Sequence, residues 1–181
     1  SYRQESFQAA KGSVGEFMRI LGVPGSLRKA HFNTYELMDI LRAANDFDEL
    51  IQVLQYYRGK LTNSEVILLA ALCGAKEEGC ETVIYNGQIC SFEGVVFASP
   101  VYFGTCSSLI ENFMKSQQLA SCAVGSVAVG AKRNGGQETT NTYVLFDALN
   151  QGAAIVGNGP PLAQYGGTAI GGNFGAVTDD L

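Results

Sequence analysis

The sequence predicts an α/β protein, a parallel sheet covered by helices on both faces. Three observations predict it. Short apolar runs, "MRILGVP", "GVVFASP" and "AVGSVAVGA", each have the length of one buried strand. Segments with apolar residues at three-to-four residue spacing alternate with them, the pattern of crossover helices. The 181 residues are 46% hydrophobic, enough core for a single domain spanning 1–181.

Residues 4–17 place Phe7, Ala10, Val14 and Phe17 on one helical face, weakened by Gly12 and Gly15. After the strand in "MRILGVP", "NTYELMDILRAA" spaces Leu37, Ile40, Leu41 and Ala44 as a helix capped by Asn33 or Thr34. "DFDELIQVLQYY" repeats the pattern behind Asp46 or Asp48. "TNSEVILLAALCGAKEEG" opens with a capping sequence and closes on Gly79, a helix with both ends marked. "CETVIYNG" and "GVVFASP" read as strands, "SSLIENFMKSQQ" as a helix, "AVGSVAVGA" as a strand, "TTNTYVLFDALNQG" as a helix and "AAIVGN" as a strand. The glycine-rich tail 157–181 carries Pro160-Pro161. Tyr165, Ile170, Phe174 and Val177 make it too apolar for a spacer, so it is expected to be an ordered loop over a site or a partner subunit.

A net charge of -5 without a basic patch disfavours nucleic acid and anionic membranes as partners. No run approaches the roughly 20 apolar residues that cross a bilayer, and "SYRQESFQ" lacks a signal-peptide core, so a soluble, cytoplasmic chain is expected. Cys73, Cys80, Cys90, Cys106 and Cys122 are odd in number and dispersed. They are expected to be mostly buried thiols rather than disulfides or metal ligands. The single His31 reads as a loop or packing residue.

In an open parallel sheet, ligands gather beyond the carboxyl ends of the strands. Three loops there carry chemistry. "PGSLRK" offers turn amides, the Ser26 hydroxyl and the Arg28 guanidinium to a phosphate, or is an ordinary βα turn; it matches neither the Walker nor the Gly-x-Gly-x-x-Gly spacing. "SPVYFGT" sets Tyr102 and Phe103 at a strand end, as the wall of a planar ligand or as a rim of core packing. "AKRNGGQETT" groups amide, cationic and carboxylate side chains around Gly135-Gly136, either the polar edge of a heteroaromatic site or a solvated turn.

With "GSLRK", "SPVYFG", "RNGGQETT" and "GNGPPLAQYGGTAIGG", the chain resembles the flavodoxin-like NAD(P)H-dependent FMN reductases, including the multimeric flavodoxins related to iron-sulfur flavoproteins. The resemblance implies a flavodoxin-like three-layer sandwich with a five-stranded parallel sheet, FMN as cofactor and NAD(P)H as co-substrate. It assigns Ser26 and Arg28 to the flavin phosphate. Pro100, Val101, Tyr102, Phe103 and Gly104 go to the ribityl chain and ring, and Arg133, Asn134, Gly135, Gly136, Gln137 and Glu138 to the ring's polar side. No protein acid or base is implied, because the cofactor carries the reactivity. Relatives form homodimers or homotetramers, and the 157–177 segment is a candidate contact.

Two departures stand out. The compact cysteine cluster of the iron-sulfur relatives is missing, so a cluster is not expected, with Cys90 at most a remnant. Segment order also differs: "DFDELIQVLQYY" precedes "LTNSEVILLAAL", as if exchanged, and residues 1–17 resemble a displaced final helix. A rearranged chain, an added helical hairpin at 30–60, or a covalent order other than the one given would each produce this. The exchanged arrangement brings Thr62, Asn63 and Ser64 to the phosphate; the direct one brings Asn33 and Thr34. The expected function is an FMN-dependent oxidoreductase passing electrons from NAD(P)H to a quinone, a flavin or another small acceptor. The alternatives are a non-enzymatic flavodoxin-type electron carrier and a module without cofactor.

Overall fold

The computed structural model describes residues 17–88, 90–160 and 164–171; the helix expected at 4–17 lies outside them, apart from the exposed Phe17. The chain runs β1 (Arg19–Pro24), α1 (Thr34–Arg42), α2 (Phe47–Tyr56), α3 (Asn63–Glu77), β2 (Glu81–Ile84) and β3 (Gly94–Pro100). It continues through α4 (Ser108–Ser116), β4 (Ala123–Gly130), α5 (Gln137–Asn150), β5 (Ala154–Ile155) and β6 (Gly167–Ile170). The strands pair in the order β2-β1-β3-β4-β5, all parallel. This is the flavodoxin-like order, with its reversal of direction between β1 and β3.

The fifth position is shared. β5 pairs with Ala123 and Val124 at the start of β4, and β6 pairs with Val127 to Gly130 at its end. Between them the chain leaves the sheet and returns. The expected tail loop therefore contains a strand at Gly167–Ile170, while the strand expected over "AAIVGN" shortens to two residues. Gly167, Thr168 and Ala169 before Ile170 offer too few large apolar side chains for the run to read as a strand.

Alternation along β1 divides the core. Ile20 faces a cluster with Leu37, Leu41, Leu54, Leu68 and Leu72, whereas Leu21 and Val23 face Phe97, Ile110, Phe113, Val144 and Leu145. The first cluster joins α1, α2 and α3; the second joins α4 and α5. Helix α3 lies on the sheet against β1, β2, β3 and β4, and the α1–α2 pair packs against it, with α1 also reaching β2. Val66, Ile67, Leu68, Leu69, Leu72 and Cys73 are all buried, because α3 is covered on both sides.

That arrangement settles the connection after β1. The loop runs directly into α1, whose N-cap Asn33 forms a capping box with Glu36, and α1–α2 is an added hairpin. No helix among the described residues stands between β2 and β3, and α1 and α2 share the core of α3, so neither takes the β2–β3 crossover place that the exchanged reading gives it. At the amino end of the sheet, Arg19 pairs with Glu81 at 2.9 Å and receives the Glu93 carboxylate on its backbone N–H, holding the β2-β1-β3 register away from the ligand edge.

The cysteines also differ from expectation. Cys73 and Cys106 are buried, but Cys80, Cys90 and Cys122 are only half-buried, and all five are free thiols.

Candidate functional site at the carboxyl edge of the sheet

The loop after β1 is pinned by its first residue. Gly25 N–H donates to Ala98 O at 2.8 Å, and a Cβ on Gly25 would lie 2.8 Å from that oxygen and 2.9 Å from Ser107 Oγ. Only glycine lets the loop sit this close to β3 and the start of α4. Beyond it, Ser26 Oγ accepts a hydrogen bond from Arg28 N–H at 3.2 Å, closing a small turn that leaves the Arg28 side chain exposed.

The other end of this loop reaches α3. His31 exerts an electrostatic pull on Glu65, the third residue of α3, and Phe32 packs edge-on against Tyr57 at 5.3 Å between ring centres. At the α3 start, Thr62 Oγ1 accepts from Glu65 N–H and Glu65 Oε2 accepts from Thr62 N–H. Burial pushes the Glu65 carboxyl above its ordinary value, opposed by its two bonds to Thr62 and by His31. Asn63 Nδ2 donates to Gly171 O, tying α3 to the end of β6. Although α1 follows β1 directly, the structure thus brings Thr62, Asn63 and Ser64 to the ligand edge as well. Asn33 and Thr34 begin α1 nearer the solvent.

The loop after β3 extends the sheet by one bond, Val101 N–H to Val129 O, and then reverses tightly. Tyr102 and Thr105 exchange backbone hydrogen bonds of 3.0 Å across Phe103 and Gly104, whose φ angles are 54° and 81°. The result is a two-residue hairpin turn with the Phe103 ring at its tip, fully in solvent. The loop after β4 packs against it. Gly136, with φ 95°, has its Cα face against Val101 and Gly104, and Thr140 Oγ1 donates to Thr105 O at 3.2 Å. Pro100 to Gly104 and Arg133 to Glu138 therefore stand side by side, with Arg133, Asn134, Gly135 and Glu138 exposed and Gln137 buried.

Two buried side-chain atoms among the described residues lack a hydrogen-bond partner, Asn63 Oδ1 and Ser107 Oγ. Both sit at this edge. Ser107 is fully buried at the start of α4, yet its side chain makes no cap; its N–H donates to Ser99 Oγ instead. The Ser107 hydroxyl, free to donate beside the Gly25 cradle, fits a phosphate-bearing ligand, whereas Asn63 Oδ1 can only accept. Sequence reading missed Ser99 and Ser107, although a serine directly before a helical run is a capping signal. Neighbouring Cys106 is unsuited to nucleophilic work: burial and the charge of Glu111 push its thiol up to about 11.

The strand order and the three converging loops define an α/β protein of the flavodoxin-like class with its ligand edge at the β1/β3 reversal. Residues 18–165 match the NADPH-dependent FMN reductase family model, and the chain belongs to that family. An iron-sulfur flavoprotein of Methanocaldococcus jannaschii is 31% identical over 166 residues, covering 85% of this chain and 83% of that protein. An NAD(P)H dehydrogenase (quinone) of Chromohalobacter salexigens is 29% identical over 138 residues, 70% of this chain and 67% of that one. Among solved structures, the Fusobacterium nucleatum flavodoxin bound to flavin mononucleotide aligns with a TM-score of 0.42 at 16% identity, covering 88% of this chain and 81% of that one. No helix among the described residues is long and apolar enough to cross a membrane.

Proposed function

We propose that this FMN-dependent oxidoreductase takes a hydride from NADH or NADPH and passes electrons to a quinone, a free flavin or another small acceptor. The observation that carries the reading is the convergence of the loops after β1, β3 and β4 on one edge, beside the unpartnered Ser107 hydroxyl. In this reading Ser26, Arg28 and the α3 start hold the flavin phosphate. Tyr102, Phe103 and Gly104 wall the ring, and the backbone of Asn134 to Gly136 rims its polar side. FMN, when bound, supplies the hydride-accepting centre; the protein's part is to seat, orient and shield it.

The test is the visible spectrum of the purified, FMN-reconstituted protein. A flavin band that bleaches anaerobically on adding NADH or NADPH supports the proposal. A bound flavin that dithionite reduces while both nicotinamides leave it oxidised overturns it in favour of an electron carrier. Homo-oligomerisation belongs to the same proposal. Tyr143, Phe146 and Leu149 on the exposed side of α5 supply apolar surface for it.

A further inference from the structure

A cleft of about 620 Å³ opens between the β4 loop and β6, and its Gly136 and Thr139 also pack on the β3 loop. Arg133 stands on its wall and makes no ion pair among the described residues. Beside it, Gly136 caps α5 without a side chain, so the first-turn amides of Gln137, Glu138 and Thr139 have no partner within the helix.

Gln137, only 5% exposed, spans the two walls: its Nε2 donates to Lys132 O at 2.8 Å and to Ala169 O at 3.3 Å. Nothing among the described residues donates to its Oε1, and Gln137 lines the cleft. Glu138, Gln164 and Thr168 continue into a second cleft of about 240 Å³ that ends at Tyr165, itself 65% exposed. The groove thus offers donors at the Arg133 end, acceptors at Gln137 and Glu138, and an aromatic face beyond them.

A ligand matching that sequence carries anionic oxygens, then hydroxyl donors, then a flat ring. We propose that the groove seats the ADP-ribose portion of the nicotinamide dinucleotide. Arg133 and the α5 amides take the diphosphate, Gln137 Oε1 and the Glu138 carboxylate take ribose hydroxyls, and Tyr165 receives the adenine. This rests on the reading of an NAD(P)H-dependent enzyme, and it moves Arg133, Gln137 and Glu138 from the flavin to the co-substrate.

Calorimetric titration of the FMN-loaded protein with ADP-ribose, which carries no hydride, tests the assignment. Arg133→Ala is expected to weaken ADP-ribose binding about tenfold or more while FMN affinity, followed by absorbance, is unchanged. Arg133→Lys is expected to recover part of the loss, since the charge returns without the planar fork. Unchanged ADP-ribose binding in Arg133→Ala, or a loss of FMN affinity instead, overturns the inference; the second result gives the cleft to the flavin. A protein that binds ADP-ribose through Arg133 but takes up no FMN supports the groove and overturns the proposed function.

Discussion

Phe103 shows how one residue carries a cost that folding alone does not explain. A φ of 54° is a left-handed conformation that a bulky side chain resists, and the ring is fully exposed, so no packing compensates. Asparagine accepts that conformation readily, and Asn-Gly is the favoured pair for such a turn. Phe103→Asn is therefore expected to raise stability of the FMN-free protein by about 1 kcal/mol. If the ring walls the flavin, the same change weakens FMN binding. Opposite signs in urea denaturation and flavin titration would tie the strain to ligand binding; a loss in both would show that the turn needs the ring for its own structure.

At the scale of the element, α3 shows what was legible in the sequence and what was not. Its ends could be read because capping is local: Thr62 and Glu65 form the reciprocal bonds their spacing implies. Its surroundings were less apparent. "VILLAALC" is apolar on all sides, and a helix against a sheet needs only one apolar face, so the run itself requires an outer layer. The α1–α2 hairpin is that layer, which explains a segment order that otherwise looks exchanged. The three site loops were legible from their glycine and polar content, but β6 was not, because its pairing with β4 depends on a strand distant in sequence. The Asn63 bond to Gly171 was hidden for the same reason.

Burial of the α3 start also has a pH signature. The folded state raises the Glu65 carboxyl above its ordinary 4.5, so between 4.5 and the folded value the native chain holds more proton than the unfolded one. Stability consequently falls as pH rises through that window and levels off above it. Glu65→Gln keeps an oxygen to accept from Thr62 N–H but carries no charge. Denaturation midpoints measured across pH are expected to show a more stable variant at neutral pH, without the wild-type decline. A variant less stable at every pH would mean that the attraction of His31 and the charged cap bonds outweigh desolvation.

For the whole molecule, the two cores and the ligand edge divide the work. Buried leucines on one face and the Phe97–Phe113 packing on the other hold the sheet, while its carboxyl edge keeps a close backbone approach at Gly25 and polar atoms without partners. A ligand that fills this edge binds the native state and not the unfolded chain, so it must stabilise the entire fold. At a free FMN concentration 100 times its Kd, linkage gives about 2.7 kcal/mol. For a domain of this size that corresponds to an increase in Tm of about 5–10 °C. Riboflavin at the same concentration lacks the phosphate that the proposed function assigns to Ser26 and Arg28, and its shift is expected to be smaller. Arg28→Ala should then lower the FMN shift towards the riboflavin value while leaving the riboflavin shift itself unchanged, because Arg28 is exposed and contributes little to packing. Equal shifts for FMN and riboflavin in the wild-type protein would remove the phosphate from the β1 loop and leave only a ring site between the β3 and β4 loops.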